Sequence, residues 1–292
     1  MMAFYKRELR SYFNGLLGWL VIAVLLLASG IYSAVTNLVG GTTDFSYIVR
    51  SMAEPVAVIV PLLAALTFTT ENRHGNSLWL ASLPTSALQM RLGKYLAALT
   101  LLTIPTVFLM IYPPLLENYG PLSYGAAYTA LLGYWLMNAA LLAVCSVIAC
   151  CIKRVWVTLL VGELLSLFLL TLFSLVVTVF VYLPIVAFLL CVCMVAESVT
   201  VRCIKTKKKS PLIVGGGIAV ALTVLYILCP TFYSVFLAKA LSAVSLFERL
   251  DGFCAGRLDL PATVLYLSVC ALSLFVLSVL PAKRYWKGDD RA

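Results

Sequence analysis

The chain has 292 residues, 63% of them hydrophobic and only 11% charged, with a formal net charge of +9. A soluble domain carries roughly 25% charged residues, so this surface cannot be covered by polar groups and an ordinary soluble enzyme is excluded. Disorder is excluded as well, because it requires low hydrophobicity together with high net charge.

Residues 1–14 form an amphipathic segment. Met2, Tyr5, Leu9, Tyr12 and Phe13 share one helical face, while Lys6, Arg7, Glu8, Arg10 and Ser11 take the other; Phe4 interrupts the pattern. A basic helix with an aromatic face is expected to lie in the membrane interface, with lipid as its partner. The apolar run that follows has no clear small-x-small cleavage site beyond the weak candidate Ala28-Ser29-Gly30. It reads as a retained span rather than a removed signal.

An apolar stretch of about 20 residues crosses a bilayer core of about 30 Å. On that measure the chain is an all-α integral membrane protein with about eight transmembrane helices. The predicted spans are 16–35, 55–70, 95–116, 126–152, 155–181, 183–201, 212–228 and 262–280. Pro61 and Pro105 fall inside the second and third as kinks. Residues 155–201 carry only Glu163 and Glu197 as charges. As a single helix they would run roughly 70 Å, so the chain must turn, and Tyr182-Leu183-Pro184 is the natural place. The connections between spans are too short for an independent soluble core.

Eight spans put both termini on one side. With that side cytoplasmic, the inner segments hold seventeen basic residues, from Lys6, Arg7 and Arg10 to the 202–209 run and the C-terminal tail. The outer segments hold four, Arg50, Lys239, Arg249 and Arg257. This follows the positive-inside rule at every loop. The positive charge is thereby explained by orientation in a plasma membrane, and nucleic acid is not expected as a partner. The Lys205–Lys209 stretch is also placed to touch anionic lipid.

The nine cysteines form no CxxC pair and the single histidine, His74, has no Cys partners, so a metal site is not expected. The cysteines read as small apolar packing residues. There is no GxxxxGK[ST] phosphate loop. Gly215-Gly216-Gly217 lacks the following lysine and sits where a span enters the membrane, which suits close helix packing. No HExxH, GxSxG or paired-carboxylate motif lies on a span, so the chain is expected to be neither an enzyme nor a cofactor binder. Glu163 and Glu197 are the ionisable residues within spans. Two readings stay open for them: pairing with Lys153, Arg154 or Arg202, or a transport or gating role.

Two segments do not span. Residues 231–260 alternate apolar and charged positions and read as an outer interfacial or re-entrant segment. Residues 71–94 form the longest inner loop, ENRHGNSLWLASLPTSALQMRLGK, with Leu78, Trp79, Leu80 and Leu83 on a short helix facing the cytosol. Such residues need cover, from a groove on a soluble subunit or from the membrane surface.

The order of residues in this loop resembles the coupling segment of type-2 ABC transporter permeases. Glu71, Arg73, Gly75, Ser77, Leu78, Leu80, Leu83, Pro84, Gly93 and Lys94 carry the match, with Asn76 where the family usually has threonine. Three other stretches are similar to the gliding-motility-type subfamily. These are YKRELRSYFNGLLGWLVIAVLLLASGIY at the start, SLFERLDGFCAGRLDL before the last span, and LYLSVCALSLFVLSVLPAKRYW at the end. In the last of these, Pro281-Ala282 replaces a more usual charged residue. The likeness is weakest over 155–209, where shorter members lack a hairpin.

The resemblance implies a six-helix permease core plus that extra hairpin. It implies a second permease subunit, identical or related, and two cytosolic ATPase subunits that hold ATP and Mg. The loop helix would dock on the ATPase as the coupling element, and the amphipathic leading helix (Tyr5, Lys6, Arg7, Leu9, Arg10, Tyr12, Phe13) would carry the push into the first span. Export is the usual direction. The alternatives are an ion-coupled secondary transporter using Glu163 and Glu197, which lacks any obvious internal repeat, and a non-transporting membrane scaffold.

Overall fold

The structure is a computed structural model that describes residues 2–41, 44–69, 87–117, 120, 123–152, 154–172 and 245–280. Its contacts divide the chain into two compact units, Met1–Leu170 with Leu246–Ala292, and Thr171–Ser245. Nearly all described residues belong to the first. The expected spans 183–201 and 212–228 and the expected turn at 182–184 lie outside the described residues.

Among the described residues the secondary structure is helical and no strand occurs. The helices are α1 (Met2–Asn14), α2 (Leu16–Ser33), α3 (Phe45–Ser51), α4 (Ala53–Thr69), α5 (Ala87–Leu109), α6 (Tyr112–Leu116), α7 (Tyr124–Cys151), α8 (Val155–Leu167), α9 (Leu250–Cys254) and α10 (Leu260–Val279). Wider turns extend α2 through Ala34–Val39 and α8 through Phe168–Leu172.

Among the described residues, five helical stretches are long and apolar enough to cross a membrane: Leu16–Asn37, Phe45–Thr69, Leu88–Leu116, Tyr124–Cys151 and Leu260–Val279. Val155–Leu170 is apolar but shorter. The second stretch starts ten residues before the span read from sequence at 55, because α3 runs on into α4 with Arg50 and Glu54 carried on the helix. The third likewise begins before residue 95 and takes in Arg91 and Lys94.

Helix α7 is the centre of the bundle. Ala127, Ala130, Leu131, Tyr134, Met137, Ala140, Leu141 and Cys145 are all buried, so the helix is enclosed on nearly every side. Its many alanines let neighbours approach closely. Helix α10 packs against it through Ala262, Tyr266, Ser273 and Leu277. Helix α8 crosses α4 where Gly162 meets Pro61: a Cβ on Gly162 would stand 3.0 Å from the proline Cβ. Pro61 has no N–H, so the helix there is a point of bending. Threonine hydroxyls inside the helices bond back to the carbonyl four residues earlier, as in Thr106 to Leu102 at 3.0 Å. That satisfies them without water.

At one end of the bundle, residues 245–259 fold over α7. Phe253 fills a notch left by Gly133, where a Cβ would fall 2.5 Å from the ring. Gly256 turns the chain with φ +76 and lies against Ala126. Tyr266 donates to the Leu246 carbonyl at 2.7 Å, and Arg50 pairs with Asp251 at 3.1 Å. The segment read from sequence as interfacial is, over these residues, a cap anchored by buried Leu246, Leu250 and Phe253.

Candidate functional site

At the opposite end, α4 leads into the 70–86 connection and α5 leads out of it. Glu71, Arg73, Gly75, Ser77, Leu78, Trp79, Leu80, Leu83 and Pro84 lie outside the described residues, as does Glu197. Gly93, Lys94 and the amphipathic helix lie within them, and Lys94 and the helix's Tyr12 meet at Thr67.

Lys94 sits two turns into α5 and is only 3% exposed. Its ammonium donates to the Thr67 carbonyl at 3.2 Å and stands 5.8 Å from the centre of the Phe68 ring. Thr67 and Phe68 are in the last turn of α4, where carbonyls lack helical partners and the helix dipole is negative. Arg91, one turn earlier and on the same side of α5, does the same for α10. Its Nη1 donates to the Leu277 carbonyl at 2.7 Å and to the Leu280 carbonyl at 3.0 Å. Two buried cations therefore cap the C-termini of two long helices. A buried charge is otherwise costly; a cation on a helix C-terminus recovers about 0.3–1 kcal/mol, and up to about 2 when partly buried. Arg91 Nε is buried with no partner among the described residues.

Helix α1 joins the same cluster. Thr67 Oγ1 donates to the Leu63 carbonyl at 2.6 Å, so its proton is committed. The 2.8 Å contact with Tyr12 is thus a bond in which the phenol donates. The same reasoning makes Tyr5 the donor to Thr100 at 3.1 Å, because Thr100 bonds back to Leu96 at 2.7 Å. Phe4 and Tyr12 are the buried residues of α1, Tyr5 and Glu8 flank them, and Met2 is exposed. The protein-facing row keeps Tyr5, Tyr12 and Phe13 of the Met2–Tyr5–Leu9–Tyr12–Phe13 face expected from sequence but leaves Met2 exposed. Phe4, which interrupts that face, is an anchor of this one. Arg7 covers the Phe4 ring at 5.3 Å and pairs with Glu8 at 2.7 Å. Lys6 and Arg10 point outward.

Glu163 lies on α8, half-buried, and forms no hydrogen bond or ion pair through its carboxylate among the described residues. Arg154 heads the same helix nine positions earlier, roughly 13 Å away along the axis, too far to pair. Lys153 and Arg202 lie outside the described residues. Cys145, Cys150, Cys254 and Cys270 are free thiols. No cluster of three metal-ligating side chains occurs among the described residues.

At the capped end, burial pushes the Asp251 carboxyl above the usual carboxylate range, and Arg50 pulls it back only in part. Burial raises Glu248 likewise, with the Asp251 charge adding to it.

Sequence reading placed Lys94 in the coupling loop and counted Arg91 among its charges. What it missed is that both are helical and buried. The signal was their spacing of three, which puts two cations on one face at the start of an apolar helix. Thr67 left no such trace. No protein family, curated protein or solved structure matches this chain.

Proposed function

We propose that this chain is the membrane-spanning permease subunit of an ATP-driven exporter of the type-2 ABC class. The likeness of residues 71–94 to a coupling segment supports this, and the capped helix ends carry it. A push on the 70–86 connection reaches α4 through Thr67, α5 through Lys94, α10 through Arg91 and α1 through Tyr12. A chain without a phosphate loop needs its energy delivered through such a contact surface, because ATP hydrolysis must then occur on another subunit.

In this reading the Arg91–Lys94 end faces the cytoplasm, together with both termini, in a plasma-membrane protein of eight spans. The 245–259 cap faces outward. Leu78, Trp79, Leu80 and Leu83 fill a cleft on each of two ATPase subunits, which hold ATP and Mg, and a second permease chain completes the pore. The test is copurification: purified chain should retain a co-expressed cytosolic ATPase, and Leu78→Glu with Trp79→Glu should release it. Retention at wild-type levels would sink the reading.

A second reading, an ion-coupled transporter, is favoured by the half-buried Glu163 carboxylate, which forms no ion pair among the described residues. Glu163→Gln should then abolish transport and its pH dependence; unchanged transport removes that reading.

A further inference from the structure

We propose that α1 carries a binding site for anionic phospholipid, with Lys6 and Arg10 as its headgroup ligands. The two cations stand one turn apart on the side of α1 turned away from Phe4 and Tyr12, and both are exposed. Neither forms a hydrogen bond or ion pair among the described residues; the acid between them, Glu8, is held by Arg7. Like charges four residues apart weaken a helix. An anion bridging them reverses that penalty.

The flank beside these cations says which anion. Met2, Leu16 and Trp19 are exposed apolar residues, and Trp19 is tied to α1 by a bond from its indole N–H to the Phe13 carbonyl at 3.1 Å. The Phe13 and Trp19 rings also meet edge-on at 5.6 Å. Trp19 belongs to the candidate span Leu16–Asn37, whose Leu20, Val24, Leu27, Ile31 and Val35 are turned outward. The acyl chains that cover this helix therefore continue onto the flank of α1 without a break. The indole marks the interfacial level, where amphipathic rings sit. Phosphates at that level meet Lys6 and Arg10, whose aliphatic stems let the charges reach the headgroups. A free phosphate would satisfy the cations but not Met2, Leu16 and Trp19. An acidic protein would have to share the apolar flank with the lipid that covers α2.

This inference rests on the membrane reading and not on the ATP-driven one, so its test uses no ATPase. Full-length chain with Trp19 as sole tryptophan (Trp79, Trp135, Trp156 and Trp286 each changed to Phe) is reconstituted in phosphatidylcholine vesicles containing phosphatidylglycerol. Trp19 fluorescence is quenched with brominated phosphatidylglycerol or, in parallel, brominated phosphatidylcholine. The expected result is preferential quenching by the anionic lipid. Its relative affinity should fall about fivefold for each cation lost in Lys6→Gln and Arg10→Gln. The exchanged pair Lys6→Arg with Arg10→Lys should keep the preference, which separates loss of charge from loss of fold. Equal quenching by both lipids would overturn the site, and so would a preference unchanged in the double Gln variant. Displacement by inorganic phosphate alone would assign the cations to a soluble anion. Absence of a lipid preference, with a soluble protein retained by wild type and lost from the Gln variant, would assign the face to that protein.

Discussion

Tyr12 donates its phenolic proton to Thr67 Oγ1 at 2.8 Å, across 55 positions of sequence, while the carbonyl of the same threonine receives Lys94. Three helices thus converge on one residue in the last turn of α4. The two ways of breaking the Tyr12 bond are not equivalent. Tyr12→Phe leaves Thr67 still bonded to Leu63 and should cost only about 0.5–1.5 kcal/mol. Thr67→Val removes the hydroxyl that accepts from a buried phenol and should cost about 1–3 kcal/mol. The double variant should be no less stable than Thr67→Val alone. Thermal unfolding in detergent measures all three; strict additivity would show that the bond is not made.

Arg91 carries a sharper expectation, because its partners are the terminal carbonyls of α10. Arg91→Met keeps the apolar stem of the side chain and removes both bonds to Leu277 and Leu280. The loss should be about 1–3 kcal/mol, with the end of α10 fraying first. Arg91→Lys should recover part of it, since an ammonium restores the charge at the helix C-terminus but ends short of the position from which Nη1 reaches both carbonyls. Hydrogen exchange over residues 274–280 reads this directly: protection should fall in the Met variant and partly return in the Lys variant. Unchanged protection in Arg91→Met would mean that the cap is not formed.

Much of the helical plan was legible because the determinant of a membrane span is its apolar length, and Leu16–Asn37 and Leu260–Val279 show that length plainly. The start of the second long helix was not, because Asp44 and Arg50 look like loop charges; Arg50 finds its partner, Asp251, only through the fold. Phe4 was misplaced because a helical wheel assumes one buried side, whereas α1 has protein on one flank and exposed apolar residues on the next. Arg91 and Lys94 read as loop charges because nothing local announces that the ends of α4 and α10 come within reach. Apart from Gly93 and Lys94, the residues that carry the coupling resemblance fall within 71–86, outside the described residues.

The notch at Gly133 gives a test of packing between the cap and α7. Gly133→Ala would place a methyl carbon 2.5 Å from Phe253. Overpacking of this kind costs about 1–3 kcal/mol. Because the clash is with a side chain, Phe253→Leu in the Gly133→Ala background should restore stability, although Phe253→Leu alone should weaken the protein. Unfolding midpoints of the four proteins decide it; equal losses with no rescue would mean that the ring does not sit in the notch.

Cys254 reports both the electrostatics of the cap and its side of the membrane. Burial pushes its thiol up to about 12, the Asp251 carboxylate adds to the rise, and Arg50 opposes it. The thiolate is the reacting form, so at any given pH below that value a raised pKa means less thiolate and slower alkylation, by roughly a thousandfold against an ordinary cysteine. With Cys254 as the sole cysteine, its maleimide rate should keep rising about tenfold per pH unit through the range where a free thiol has levelled off. Asp251→Asn removes the repelling charge and leaves Arg50 in place, so it lowers the pKa and speeds labelling. Arg50→Gln has the opposite sign and slows it. A membrane-impermeant reagent applied outside cells should reach Cys254 and spare a sole cysteine at Cys203. Labelling of Cys203 alone would turn the proposed orientation over, and with it the assignment of the Arg91–Lys94 end to the cytoplasm.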